Sequence, residues 1–124
     1  MKSGSKLMKL SELARILDAS FLSGEEQSDI EIFKVGASDF MSDILAALSE
    51  GGVLLTGLIT IQAVKTAVIS GCSVIIFVRN KEPDSQVIEL ARMHDIPLLS
   101  TPCSMFVSCG RLYAEGLIGL SGSR

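Results

Sequence analysis

The chain has 124 residues, of which 48% are hydrophobic, and this length fits one domain with a single core. A net charge of −3, scattered basic residues and the lack of tryptophan argue against nucleic acid as a partner. Three cysteines without a CxxC pair and one histidine indicate neither a disulfide framework nor a metal site. No apolar run approaches the roughly 18 residues of a membrane span and no signal-peptide pattern is present, so we expect a cytoplasmic protein.

The first part of the chain predicts a flexible start, one helix and two strands. Residues 1–9 are polar and lysine-rich and are expected to be flexible. Apolar residues recur with helical spacing over residues 10–17, with Ser11 as the expected N-cap. Residues 21–22 are expected to form a short strand, followed by a loop whose acidic residues are solvated. Residues 30–35 alternate apolar and charged side chains, which is typical of a strand near the edge of a sheet.

A second helix is expected after a turn at residues 36–39, with Ser38 or Asp39 as its cap and Gly51 as a left-handed stop. Its expected buried face comprises Met41, Ile44, Leu45 and Leu48. Asp39 and Asp43 are interpreted as exposed charges of this helix, because no third residue accompanies them as a metal ligand.

Three similar units follow between residues 53 and 116. Apolar runs at residues 53–56, 73–78 and 96–101 each lead into a helical stretch. A strand followed by a crossover helix, repeated, predicts a parallel sheet with helices on both faces. The run at residues 73–78 is the richest in β-branched residues and is expected to be the central strand.

The three helices of these units have recognisable starts. Thr60 is placed to cap the first. Asp84 or Ser85 is expected at the start of the second, where the negative charge of Asp84 suits the helix dipole, and Thr101 followed by Pro102 predicts the third. Their expected buried stripes are Ile61, Val64 and Val68; Val87, Ile88 and Ala91; and Phe106, Cys109, Gly110 and Tyr113. His94, in the last turn of the second helix, is interpreted as a surface or capping histidine.

Polar residues follow each strand of the three units, so they should meet at the carboxyl edge of the sheet, where open α/β sheets bind ligands. The loops at residues 56–60, 79–82 and 100–104 offer hydroxyls, helix N–H groups and positive charge. These groups suit an anionic or phosphorylated ligand. The alternative is that the hydroxyls only cap helices while Arg79 and Lys81 remain solvated.

The sequence contains no set of catalytic residues that we recognise. The phosphate-binding pattern GxxxxGK[ST] and the dinucleotide pattern GxGxxG are both absent, so no cofactor is expected. Cys103 is expected in the first turn of a helix, where the dipole activates a thiol. A redox or acyl-transfer activity of Cys103 is therefore the enzymatic alternative, and a packing thiol is the simpler interpretation.

The chain resembles the DRTGG domain family over essentially its whole length, although the five-letter string itself is absent. The resemblance is carried by SDIL after GASDFM, VLLTGLITIQ, VIIFVRNKEPD followed by VIELA, and IPLLSTPCSMF running into CGRLY. It is closest to the free-standing domains that occur in anaerobic bacteria beside iron-only hydrogenase and signalling genes.

The resemblance implies an α/β fold: a single three-layer α/β/α domain with a mainly parallel sheet, like the N-terminal domains of MurF and HPr kinase/phosphorylase. The domain is expected over residues 10–117, with flexible residues 1–9 and 118–124. A regulatory, non-catalytic role is implied, with homodimerisation and a signalling or hydrogenase-related protein partner. The expected ligand-binding residues are Thr56, Gly57, Thr60, Gln62, Arg79, Ser100, Thr101 and Ser104.

Two functional hypotheses follow. The first is a regulatory domain that binds a nucleotide or another small anionic metabolite at the strand ends. The second is a protein interaction module without a small ligand, which predicts a filled strand-end crevice and a contiguous apolar patch on the surface.

Overall fold

The structure, a computed structural model, describes residues 7–47 and 50–120. Its strands are β1 (Met8–Lys9), β2 (Ser20–Ser23), β3 (Glu31–Ile32), β4 (Lys34–Ala37), β5 (Val53–Thr56), β6 (Val74–Phe77), β7 (Leu98–Ser100) and β8 (Ile118–Gly119). Its helices are α1 (Leu10–Ile16), α2 (Met41–Ala47), α3 (Ile61–Ser70), α4 (Ser85–Met93) and α5 (Met105–Ala114), with a 3₁₀ turn at Glu25–Gln27.

The main sheet has six strands in the order β2-β7-β6-β5-β4-β8. Strands β4 to β8 pair in parallel, while β2 pairs antiparallel with β7 at one edge. The predicted three-layer α/β/α fold with a mainly parallel sheet is therefore confirmed, and β6 is central as predicted. Strands β1 and β3 form a separate antiparallel pair.

Successive residues of the central strands enter two cores on opposite faces of the sheet. Val53, Leu55 and Ile76 pack on the face that α1 and α5 cover. Leu54 and Phe77 pack on the face that α2, α3 and α4 cover. Because both faces are buried, β5 and β6 need apolar residues at nearly every position, which explains their continuous apolar runs.

The predicted strand at residues 30–35 is two strands, and this shifts the elements that follow it. β3 pairs with β1, whereas β4 lies in the main sheet between β5 and β8. Gly36 therefore belongs to a strand, not to the predicted turn. A Cβ atom at Gly36 would lie 2.2 Å from Leu120 Cδ1, so the lack of a side chain makes room for Leu120.

The ends of the domain also differ from the predictions. Met8 is buried and begins β1, within the stretch expected to be flexible. Lys9, not Ser11, is the N-cap residue of α1. The sheet continues past residue 117 into β8, within the predicted flexible tail. Residues 1–6 and 121–124, and Leu48 of the expected α2 face, lie outside the described residues.

Several helix predictions are confirmed. Met41 and Ile44 are buried on α2, and Val87 and Ala91 are buried on α4. His94 is the exposed C-cap residue of α4, as interpreted from the sequence. Gly71 is the C-cap residue of α3, with a left-handed φ angle of 83°. Gly51 has the predicted left-handed φ angle of 78°, but it lies beyond Ala47, the last residue assigned to α2.

The predicted packing face of α5 is wrong. Phe106 is 86% exposed and Tyr113 is 54% exposed, whereas Ser108 and Leu112 are buried. Likewise Val68 of α3 is exposed while Thr66 and Ser70 are buried on the same helix. Small hydroxyl residues are thus buried on both helices, and the hydroxyl of Ser70 donates to the Thr66 carbonyl at 2.8 Å. A prediction based on the spacing of apolar residues does not count serine or threonine as buried.

The exposure of Phe106 leads to a prediction about stability. Phe106→Ser is expected to change the free energy of unfolding by less than about 0.5 kcal/mol, because exposed positions rarely affect stability. Truncating a buried phenylalanine instead costs about 3–5 kcal/mol. Urea unfolding of the variant measures the change, and a loss in that larger range would mean that Phe106 is buried in solution.

Candidate functional site

The carboxyl ends of the three central strands are aligned, as the sequence predicted. Thr56 is the register partner of Phe77, and Phe77 is the register partner of Ser100. The loops that follow β5, β6 and β7 therefore begin at one edge of the sheet. We call this the strand-end edge, formed by residues 56–60, 79–82 and 100–104.

At the end of β5, the edge holds an aspartate that sequence reasoning did not place there. Asp39 Oδ1 accepts hydrogen bonds from the Gly57 amide at 2.6 Å and from the Thr56 hydroxyl at 3.0 Å. Lys81 Nζ donates to the Gly57 carbonyl from 3.3 Å. Asp39 is exposed, as the sequence indicates, but it precedes α2 and its carboxylate contacts the first loop of the predicted site.

The signal that could have identified Asp39 is the length of β4. Since β4 extends to Ala37 and runs parallel to β5, the residues after it emerge at the same edge as Thr56. Gly36 and Ala37 resemble a turn by composition, so the sequence pattern ends the strand at residue 35 and places Asp39 at the start of the helix.

The loop after β6 presents two cations from a constrained backbone. Arg79 and Asn80 have φ angles of 62° and 59°, a left-handed conformation that is unusual for arginine. The Arg79 amide donates to the Cys103 carbonyl and the Asn80 amide donates to the Thr101 carbonyl, at 2.9 and 2.7 Å. Arg79 and Lys81 are both exposed, and neither makes an ion pair with another described residue.

The hydroxyls after β7 hold the loops together. Thr101 is 0% exposed; its hydroxyl donates to the Leu17 carbonyl at 2.5 Å and accepts from the Cys103 amide at 3.1 Å. The Ser100 hydroxyl donates to the Lys81 carbonyl at 3.0 Å. Both residues lie at the predicted edge, where they fix the loop that carries the cations.

The start of α5 corrects two predictions. The N-cap residue is Ser104, whose hydroxyl accepts from the Val107 amide at 3.2 Å, so Thr101 and Pro102 precede the helix. Cys103 consequently lies before the cap and not in the first helical turn. The geometric reason for an activated Cys103 thiol is therefore absent.

The start of α3 confirms Thr60 in the N-cap position, with extended backbone angles. Its side chain makes no capping hydrogen bond, in contrast to Asp84, which accepts from the Gln86 and Val87 amides at the start of α4. Gln62 is exposed in the first turn of α3. This helix therefore presents amides without a side-chain cap at the strand-end edge.

Three of the cavities that the described residues line bear on function. A groove of about 600 Å³ between α3 and α4 is lined in part by Ile61 and Ser85, the first residues of those helices. A cavity of about 450 Å³ lies beside Gly24 at the opposite end of the sheet. A third, of about 400 Å³, is strongly apolar; we call it the α5 groove, and its lining includes Val35, Ala37, Phe106, Cys109, Tyr113 and Ile118.

Two thiols are affected by burial. Burial raises the pKa of the Cys72 thiol, an effect that its hydrogen bond with Ser70 partly offsets, and burial also raises the pKa of the Cys109 thiol. Neither cysteine is therefore predisposed to act as a thiolate nucleophile near neutral pH.

The raised pKa of Cys109 can be tested by alkylation. Since iodoacetamide reacts with the thiolate, the midpoint of the rate against pH should lie above that of the same cysteine in urea-unfolded protein. Mass spectrometry of the Cys109 peptide measures the rate. A midpoint below the unfolded reference would contradict the burial of this thiol.

Two further findings concern the described residues alone. Their histidine, cysteine, aspartate and glutamate side chains form no cluster that could hold a metal ion. None of their helices has both the length and the apolar character needed to cross a membrane.

The fold and the strand-end edge define a three-layer α/β/α domain whose loop polar groups gather at one end of a parallel sheet. The chain belongs to the DRTGG domain family, whose profile matches residues 12–113. This match confirms the family resemblance that the sequence motifs indicated.

A solved structure has a similar fold. It contains the CBS and DRTGG domains of the regulatory region of Clostridium perfringens pyrophosphatase, complexed with the activator diadenosine tetraphosphate. The two chains share 23% sequence identity and superpose with a TM-score of 0.70. The match covers 88% of this chain and 47% of the other, so this chain spans about half of that length. No curated protein matches the chain.

Proposed function

We propose that this domain is a non-catalytic regulatory module that binds a small anionic metabolite or a nucleotide at the strand-end edge. The observation that carries the proposal is the loop after β6, where the exposed Lys81 donates to the Gly57 carbonyl and the amide of the exposed Arg79 donates to the Cys103 carbonyl. Two exposed cations, neither paired with a described carboxylate, favour an anion even in a chain with a net charge of −3.

The backbone of this loop supports a binding role. A left-handed arginine costs about 1–2 kcal/mol compared with an ordinary conformation, so such residues persist where the surrounding structure holds them. Here the hydrogen bonds to the 101–103 segment hold Arg79 and Asn80 in place. The Ser100 hydroxyl holds the Lys81 carbonyl in the same way. A rigid loop loses little entropy when it binds a ligand.

The start of α3 adds to the same site. The partial positive charge of a helix N-terminus favours anions, and Thr60 leaves the α3 amides without a side-chain cap. The groove between α3 and α4 adjoins this helix start at Ile61 and offers room for the remainder of a larger ligand. We assign Thr56, Gly57, Thr60, Gln62, Arg79, Ser100, Thr101 and Ser104 to this region as contacts or as residues that position the loops.

The comparison with solved structures guides the choice of ligand. The pyrophosphatase regulatory region was crystallised with diadenosine tetraphosphate, a ligand that combines several phosphates with two nucleosides. The present chain spans about half of that chain. Diadenosine tetraphosphate is therefore a reasonable first probe, together with ATP and inorganic tripolyphosphate, which separate the contributions of nucleoside and phosphate.

Thermal unfolding in the presence of these compounds tests the proposal. A ligand at 100 times its dissociation constant stabilises the folded state by about 2.7 kcal/mol, which is readily visible as a rise in Tm. We expect at least one of the three probes to raise Tm in proportion to the logarithm of its concentration. If none of them does so at millimolar concentration, the proposal is wrong.

The α5 groove favours a second candidate, a protein interaction module. Phe106 and Tyr113 expose aromatic surface beside a strongly apolar groove, as surfaces that bind proteins often do. A second copy of this chain, or a signalling or hydrogenase-related protein, would occupy this surface. Light scattering tests self-association: a mass of two chains that Phe106→Arg reduces to one supports it, and a concentration-independent monomer contradicts it.

A further inference from the structure

Asp39 forms hydrogen bonds to the end of β5 that do not depend on its negative charge. Both hydrogen bonds, from the Gly57 amide and from the Thr56 hydroxyl, end on the same carboxylate oxygen, Oδ1. A single acceptor oxygen is enough for both donors, and the neutral amide side chain of asparagine also carries an acceptor oxygen. The negative charge of Asp39 is thus not needed to hold these two donors.

No described residue forms an ion pair with this charge. Lys81 is the nearest candidate, yet its Nζ donates to the Gly57 carbonyl and lies beyond ion-pair distance of the Asp39 carboxylate. A Cβ atom at Gly57 would lie 3.2 Å from Lys81 Nζ and 3.4 Å from Asp39 Oδ2. The carboxylate and the ammonium group therefore both lie close to Gly57, at the edge where the proposed ligand would bind.

The donors that Asp39 occupies are those that an anionic ligand would use. A main-chain amide and a hydroxyl at the end of a parallel strand are typical partners of phosphate and carboxylate oxygens. A carboxylate oxygen at 2.6 Å from the Gly57 amide resembles such a ligand oxygen in charge and geometry. Its charge also repels any second anion placed within a few ångströms.

We infer that Asp39 is a built-in competitor that occupies the strand-end edge in the free protein and is displaced when an anionic ligand binds. This inference rests on the proposed function, because it describes the regulation of the same site. Asp39 lies in the segment between β4 and α2, and α2 packs beside α3. Displacement of Asp39 therefore moves the backbone segment that leads into α2, and this links ligand binding to the position of that helix.

The substitution Asp39→Asn removes the charge and retains an acceptor oxygen for both donors. Binding of inorganic tripolyphosphate to this variant should be about tenfold tighter than to the unsubstituted protein, because a like charge next to the ligand is removed. The matched control is Asp43→Asn, which removes the same charge from an exposed position on α2 and should change the dissociation constant less than twofold. Isothermal titration calorimetry measures all three proteins.

The outcomes separate this inference from the proposed function. Tighter binding to the Asp39 variant alone supports competition. An equal gain in both variants reflects net charge and overturns the inference. Weaker binding to the Asp39 variant means that the carboxylate holds Thr56 and Gly57 in the conformation that binds, and this also overturns the inference. If the dissociation constant does not change while Arg79→Ala still weakens binding, the inference fails and the proposed function stands. If no protein binds, both fail.

A measurement on the unsubstituted protein does not depend on the folding of any variant. The Gly57 amide donates to a carboxylate in the free protein, so its proton resonance should move when tripolyphosphate replaces Asp39 as the acceptor. The Asp39 side-chain carboxyl carbon should shift in the same titration. A shift of the Arg79 and Lys81 resonances without any change at Asp39 would show that the ligand binds without displacing it.

Discussion

Thr101→Val is expected to lower the free energy of unfolding by about 1–3 kcal/mol, because it removes a buried hydroxyl that serves two backbone groups and leaves the Leu17 carbonyl only the Cys103 thiol, at 3.6 Å, as a donor. Valine has nearly the shape of threonine but lacks the hydroxyl that donates to the Leu17 carbonyl and accepts from the Cys103 amide. Thr101 is 0% exposed, so water cannot replace these bonds without a change in packing. Urea or thermal unfolding of the purified variant measures the loss.

The control for Thr101 is a threonine whose hydroxyl makes no capping bond. Thr60 occupies the N-cap position of α3 without a side-chain hydrogen bond to the helix, so Thr60→Val should cost less than about 0.5 kcal/mol. Equal losses in the two variants would contradict the structural role of Thr101. A Thr101 variant of unchanged stability but impaired ligand binding would instead make its hydroxyl a ligand contact.

Replacing both Arg79 and Lys81 with alanine is expected to weaken binding of diadenosine tetraphosphate by about 100-fold. Each charge-assisted hydrogen bond to a phosphate contributes about tenfold at an exposed site, after allowance for solvent screening. Alanine is as restricted as arginine in the left-handed conformation, so the backbone at Arg79 should change little. Calorimetric titration of the double variant measures the effect.

The matched control removes the same two positive charges elsewhere. Lys9 lies in β1 before the start of α1, and Arg92 lies in the last turn of α4 beside the cavity at Gly24; both side chains are exposed. Their double alanine variant should bind the ligand within about twofold of the unsubstituted protein, since exposed charges beyond a Debye length are screened. Comparable losses in both double variants would mean that net charge alone determines binding.

The central parallel strands could be predicted because burial on both faces leaves a strong pattern. Runs such as residues 53–56 and 74–77 are apolar at almost every position, and each precedes a helix with its own start signal. β8 has two residues and its pairing with β4 depends on the completed sheet, so no local pattern marks it. Gly36 and Ala37 resemble a turn locally, and pairing with β5 overrides that preference.

The helix faces show where the periodicity argument fails. Helix α5 has one stripe of side chains that contains Phe106 and Tyr113 and another that contains Ser108 and Leu112. The second stripe is buried, although the first is the more apolar. A serine seldom signals burial, yet its small size allows close approach of the helix to the sheet. The sequence stripe was apolar as predicted, but it lines an open groove instead of the core.

The sequence predicts where the candidate site lies, at one edge of the sheet, but not which groups contact one another there. The alignment of Thr56, Phe77 and Ser100 follows from parallel pairing, which the repeated units imply. The hydrogen-bond partner of each hydroxyl cannot be derived from this strand pairing. The hydroxyl of Thr101, for example, donates to the carbonyl of Leu17, which is distant in the sequence. Asp39 shows the same limitation, since its bond to Gly57 depends on where β4 ends.

The central claim is that an anionic ligand binds at the strand-end edge, and amide chemical shifts of ¹⁵N-labelled protein test it most directly. Titration with diadenosine tetraphosphate should produce its largest, saturable shifts at Gly57, at Ile61 and Gln62, and from Arg79 to Lys81. Shifts confined to the α5 groove, at residues such as Phe106 and Ile118, or no shifts at millimolar ligand, would contradict the claim.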